Sequence, residues 1–140
     1  MPIPNISTAE VETLVGEAKV ITANLVWFTD GSAFRLEAMV LVVATNQVLR
    51  LTGVHGSRNY SFCLLFNNYP IRRWCTRNKH KNPDGEMLSG PHKHRFDEID
   101  GDHWAYKPTD ITPTDTNEDL FQFLKECNIE LTGTYQAIAL

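Results

Sequence analysis

Residues 33–45 read AFRLEAMVLVVAT. Phe34, Leu36, Ala38, Val40 and Val42 alternate with Arg35, Glu37 and Met39 before the run turns apolar on both sides. A two-residue period belongs to an extended chain, so this stretch predicts a long strand that begins at a sheet edge and ends in the core. Moving outward, Asn46-Gln47 reads as a turn, and Val48, Arg50 and Thr52 alternate with Leu49, Leu51 and Gly53 in a further strand. The loop 55–59 leads to Tyr60–Phe66 (YSFCLLF), and Asn67-Asn68 turns the chain into Ile71–Thr76. Residues 20–28, rich in β-branched and aromatic side chains, precede the opening strand across an Asp30-Gly31-Ser32 turn. Consecutive strands joined by short polar turns predict an antiparallel meander, curved or closed into a half-barrel.

Helices are expected only at the two ends. Ser7 followed by Glu10 is a capping-box pattern, and Val11, Leu14, Val15 and Ala18 recur at helical spacing, which predicts a helix over Thr8–Ala18. A second helix should begin near Asp115 or Thr116, with Glu118 and Asp119 in its first turn and an apolar stripe through Leu120, Phe123, Leu124 and Cys127. Short extended pieces are expected at His92–Phe96, Trp104–Tyr106 and Ile129–Leu131, followed by a tail over Gly133–Leu140. The expected fold class is therefore α+β: a curved antiparallel sheet of five to seven strands with an N-terminal and a C-terminal helix. A length of 140 residues suits one domain, 1–140.

Net charge is −4 and the longest apolar run, Ala38–Ala44, is far too short to span a bilayer. Whole-protein charge therefore gives no pull towards nucleic acid. The start, MPIPNISTAEVE, lacks a basic stretch followed by an apolar run, so no secretory signal is expected. The odd set Cys63, Cys75 and Cys127 suits reduced thiols in a cytoplasmic protein.

Charge is unevenly distributed. Between Pro70 and Arg95 lie Arg72, Arg73, Arg77, Lys79, Lys81, Lys93 and Arg95, opposed only by Asp84 and Glu86. The same segment holds His80, His92 and His94. In an extended piece His92 and His94 point the same way, and a hairpin folded across the Asn82–Gly85 turn would bring His80 beside them. Two imidazoles can share the acid and base roles of RNA phosphodiester cleavage, because histidine titrates near neutrality. Arginines stabilise the charge that develops on phosphorus. On this reading His80, His92 and His94 are the candidate catalytic groups, with His92 and His94 first. Arg72, Arg73, Arg77, Lys93 and Arg95 hold phosphate, Trp74 stacks on a base, and no cofactor is needed.

Two other readings stand beside it. His92-x-His94 followed at Glu98 has the ligand spacing of cupin-type barrels, so His92, His94, Glu98 and His103 form an alternative set for a divalent transition metal. A non-enzymatic binding or inhibitor protein, acting through the basic hairpin or the acidic remainder, is the other. Histidine and arginine on a hairpin also occur as an ordinary solvated surface, where ion pairs are worth under about 1 kcal/mol.

Tyr60-Ser-Phe, then Asn67-Asn68-Tyr69-Pro70, then Gly90-Pro91-His92-Lys93-His94-Arg95 resemble the corresponding runs of small bacterial TumE-like toxins. The resemblance covers about the middle half of the chain. It implies a β-rich fold closed by a C-terminal helix, action on RNA as partner, and a cognate antitoxin. It carries over His92, His94 and Lys93.

Overall fold

The computed structural model describes residues 2–76, 79–109 and 113–140. The chain opens with α1 (Thr8–Gly16), β1 (Lys19–Ile21), β2 (Phe28–Asp30), β3 (Ala33–Val42), β4 (Val48–His55), β5 (Tyr60–Phe66) and β6 (Tyr69–Cys75). It continues through β7 (His80–Lys81), β8 (Met87–Leu88), β9 (His92–Asp97), β10 (Gly101–Tyr106), α2 (Thr116–Glu126) and β11 (Ile129–Leu131). The fold is α+β, with a curved, open and mostly antiparallel sheet ordered β10-β9-β6-β5-β4-β3-β1-β11, and β2 paired to β3. The sheet has nine strands where five to seven are predicted. Residues 20–28 break after Ile21 and resume at Phe28 as two short strands, and the expected extended piece Ile129–Leu131 joins the sheet parallel to β1.

Local chemistry explains the ends and turns. Ser7 Oγ accepts from the Glu10 N–H at 3.0 Å, and a Glu10 carboxylate oxygen accepts from the Ser7 N–H at 3.4 Å, completing the capping box. Asp115 caps α2 through the Glu118 N–H at 2.9 Å. Asn67 and Asn68 both adopt positive φ, 48° and 63°, as a two-residue hairpin loop matched to the strand twist requires. The tail is tied down: the Gln136 N–H donates to the Leu25 carbonyl and the Ile138 N–H to Asn117 Oδ1.

Directly opposed residues of paired strands share a face. One face carries the rungs Ala38–Leu51–Leu64–Arg72 and Leu36–Gly53–Phe62–Trp74–Lys93. Both helices pack here, and Leu36, Leu51, Phe62, Leu64, Val11 and Leu120 are fully buried. Lys19 is buried where the helices end, donating to the carbonyls of Val15, Glu17 and Cys127 at 2.6, 2.8 and 2.7 Å. It thereby neutralises the negative C-terminal poles of α1 and α2 together, although burial pulls its pKa down to about 8. The opposite face carries Thr52–Cys63–Arg73–His94–Ala105 and Val54–Ser61–Cys75–His92.

Candidate functional site

That second face acquires a cover of its own between β6 and β9. The chain leaves the sheet after Cys75 and returns at His92, forming the β7–β8 hairpin on the way. Asn82 fixes the hairpin to the sheet: its Nδ2 donates to the Ala105 carbonyl at 2.9 Å, and its Oδ1 accepts from the Ala105 N–H at 2.8 Å. The buried amide thus behaves as one more backbone unit on the free side of β10.

The hairpin brings His80 over the β9 histidines. Ring centroids lie 4.6 Å apart for His80 and His94, 5.8 Å for His80 and His92, and 5.0 Å for His92 and His94. The three imidazoles singled out in the sequence therefore converge. They differ in access: His92 and His94 are 1% and 3% exposed, and His80 is half-buried.

Each ring is oriented by a backbone carbonyl. His92 Nδ1 bonds the Gly90 carbonyl and His94 Nδ1 the Asp102 carbonyl, both at 2.8 Å. A carbonyl only accepts, so Nδ1 carries the proton in both rings and Nε2 keeps its lone pair. His80 is reversed, with Nε2 donating to the His103 carbonyl at 2.6 Å. The Asp102 carbonyl is available because β10 shifts register by one residue between Gly101 and Trp104, a bulge that re-aims Asp102.

Charge and burial set the protonation. Burial first, then the Arg73 guanidinium and the other imidazoles, push His94 down to about 3, against the opposing effect of its Asp102 hydrogen bond. His92 is lowered chiefly by burial, with His80 and Arg73 adding to it. Both rings are neutral near pH 7. Burial raises the Cys75 thiol, and raises Cys63 to about 12. Arg73 Nη2 donates to Asp102 Oδ2 at 2.6 Å, while its buried Nε has no hydrogen-bond partner among the described residues.

The other residues marked in the sequence are dispersed. Arg72 lies on the helix-packed face, 5% exposed, with Nη2 on both carboxylate oxygens of Glu12 and Nε 3.8 Å from Glu126. Lys93 is 2% exposed and paired with Glu126. Trp74 is buried, its Nε1 donating to Asp119 Oδ2 at 3.4 Å, so it offers no base-stacking surface. These three belong to the core rather than to a phosphate-binding surface. Arg95 is exposed and lies over the Tyr106 ring, 4.7 Å from its centroid. Arg77 falls outside the described residues.

The cupin-like set does not assemble. Glu98 sits in the exposed β9–β10 turn with its N–H on Thr8 Oγ1, and the His103 side chain faces solvent. Among the described residues, the ligand-type atoms that gather within 4.8 Å of one another come from Cys75, His92 and His94. Cys75 reads in the sequence as a packed strand cysteine. Its place opposite His92 depends on β6–β9 register, which spans the whole hairpin excursion and leaves no local signal.

The chain belongs to a family of unknown function, DUF6978, whose model matches residues 6–129. No curated protein and no solved structure matches it. Among the described residues, no helix is long and apolar enough to cross a membrane.

Proposed function

We propose that the protein acts on RNA as a toxin-like phosphodiester-cleaving enzyme centred on His80, His92, His94 and Arg73. The supporting observation is the convergence of three imidazoles, with ring centroids 4.6–5.8 Å apart, beside an arginine that faces the same side of the sheet. In such a reaction a base takes the 2′-OH proton, that oxygen attacks phosphorus, and an acid protonates the departing 5′-oxygen. His92 and His94, neutral at pH 7, do not deliver that proton in the resting protein. His80, the most accessible of the three rings, takes the general-acid role in this proposal. Beside it runs a cleft of about 390 Å³ lined by Lys81, His103, Pro83, Asp100, Ile99 and Ile3, where a backbone phosphate would meet Lys81. Arg73 supports the phosphorane charge once Asp102 yields its bond. A cytoplasmic location and a cognate antitoxin belong to the same proposal.

Cleavage of an unstructured RNA by the purified protein tests it. His80→Ala should lower the rate by roughly 10²-fold or more, as loss of a general acid does, with the melting temperature nearly unchanged. Full activity in a His92→Ala/His94→Ala variant ends the proposal. A second reading, a non-enzymatic binding protein, is favoured by the near-complete burial of His92 and His94 beneath the hairpin. RNA or protein binding without any cleavage would support it instead.

A further inference from the structure

Cys75, His92 and His94 form one triangle on the covered face of the sheet, held by the facing strands β6 and β9. We infer that this triangle binds a single divalent transition metal of the zinc type, through Cys75 Sγ and the Nε2 atoms of His92 and His94.

Four observations carry the assignment. The first is donor type. One sulfur and two imidazole nitrogens make a borderline-soft set that suits zinc and disfavours magnesium or calcium, which take oxygen ligands. The second is spacing. Zinc–nitrogen and zinc–sulfur bonds of about 2.0 and 2.3 Å set donors about 3.5 Å apart. Cys75 Sγ and one ring nitrogen of each histidine already lie within 4.8 Å of one another, little more than an ångström beyond that spacing. The third is orientation. Metal-bound histidines commonly donate their other N–H to a carbonyl or carboxylate, which fixes the tautomer. Gly90 and Asp102 hold Nδ1 of the two rings in this way, leaving both Nε2 lone pairs free. The fourth is burial: Cys75, His92 and His94 are 5%, 1% and 3% exposed, and their rings and thiol are already desolvated before any ion arrives.

The charges around the triangle are compatible with a cation. Arg73 is the guanidinium directly opposite His94 on this face, and the Asp102 carboxylate neutralises it. His80 stands beside both rings, and Cys63 lies one rung further along, opposite Arg73. Binding replaces the Cys75 S–H bond with an S–metal bond and releases one proton to solvent. Three protein donors leave a fourth tetrahedral position for water. The inference shares its residues with the proposed RNA chemistry but not its premise; an occupied site would make His92 and His94 ligands and leave proton transfer to His80.

The test is titration of the chelator-stripped full chain with Zn²⁺ by calorimetry and with Co²⁺ by absorbance. The expected result is one ion per chain, with a thiolate-to-cobalt charge-transfer band and the d–d bands of a tetrahedral site. Cys75→Ser should abolish the charge-transfer band, and Cys63→Ser should keep it. His94→Ala should weaken Zn²⁺ binding by more than the roughly 10- to 100-fold that loss of an outer-shell partner brings. Glu98→Gln and His103→Ala should bind as the wild type does. Circular dichroism identifies any variant that fails to fold, and the wild-type cobalt spectrum decides alone if both ligand variants do. Absence of stoichiometric binding, or a cobalt spectrum without the thiolate band, overturns the inference. Zinc binding without RNA cleavage sustains the site and removes the RNA reading, and cleavage by the metal-free protein with no zinc binding does the reverse.

Discussion

Arg72 and Glu12 meet across the interface between the sheet and α1, one guanidinium nitrogen donating to both carboxylate oxygens at 3.1 and 3.0 Å. Glu126, at the end of α2, approaches the other side of the same guanidinium and also pairs with Lys93. Two helices far apart in sequence are thus drawn onto two cations that rise from the neighbouring strands β6 and β9. Buried pairs of this kind add little over a hydrophobic replacement, but removing one partner strands the other charge.

Arg72→Ala should therefore destabilise the fold by about 3 kcal/mol, measured by urea unfolding, because Glu126 loses a partner in a largely buried place. Glu12→Gln should cost less, since the Glu12 side chain is 46% exposed. If RNA binds, Arg72→Ala should leave the salt dependence of binding unchanged, whereas a phosphate-contacting arginine would reduce the slope by about one. A reduced slope in this variant would return Arg72 to the binding surface.

Acid should loosen the metal-free protein through the histidines. His94 falls from 6.5 to about 3 on folding, chiefly by burial. Between those values the unfolded chain holds a proton that the folded chain refuses, so stability rises with pH across the window and is lost on acidification. One such group gives a slope of up to about 1.4 kcal/mol per pH unit. His92, lowered too, acts in the same direction. Urea unfolding in chelator at stepped pH should show this slope. His94→Asn, whose amide can still donate to the Asp102 carbonyl, should flatten it. An unaltered slope would place the acid sensitivity elsewhere.

The legible and illegible parts of this chain divide by sequence distance. Ser7 with Glu10, the Asn67-Asn68 turn and the alternation from Phe34 to Val42 are settled by neighbours within a few residues, and each reads correctly in advance. The same alternation puts His92 with His94 and Arg73 with Cys75. Which face each pair takes is another matter. Arg72, Trp74 and Lys93 look like a nucleic-acid surface because basic and aromatic residues cluster there. Their partners Glu12, Asp119 and Glu126 arrive from helices 33–60 residues away. Charge along a strand cannot show that the opposing charge comes from a helix packed over it.

Asn82 should govern the hairpin. Its two bonds to Ala105 join the turn of the β7–β8 hairpin to β10, beside the His80 bond to the His103 carbonyl. Asn82→Ala leaves a buried N–H and a buried carbonyl unmatched, which costs about 1–3 kcal/mol for each such group. The opening should be local: hydrogen exchange should accelerate at Ala105 and through 80–88, with β3–β5 protected as before. His80 would then lose its place over His94, so cleavage should fall even where the melting temperature holds. Uniform acceleration over the whole sheet would mean that the hairpin is part of the global core.

Gly101 and Tyr69 should prove coupled. Gly101 has φ +68°, and a Cβ there would stand 1.9 Å from Tyr69 Oη and 2.9 Å from Cζ. Tyr69 is buried edge-on against Phe96, and its Oη accepts from the Asp102 N–H at 3.3 Å. Gly101→Ala must displace that ring as well as strain the backbone, for a loss of at least about 2 kcal/mol. Asp102 moves with it, and Asp102 supplies the carbonyl that orients His94 and the carboxylate that holds Arg73. Tyr69→Phe removes the nearer clashing atom but leaves the ring carbon at 2.9 Å. The double variant should therefore lose less than the two single losses added together, by about 0.5 kcal/mol or more in a mutant cycle. Strict additivity would show that the ring yields freely, and that Asp102 is fixed by the β10 bulge alone.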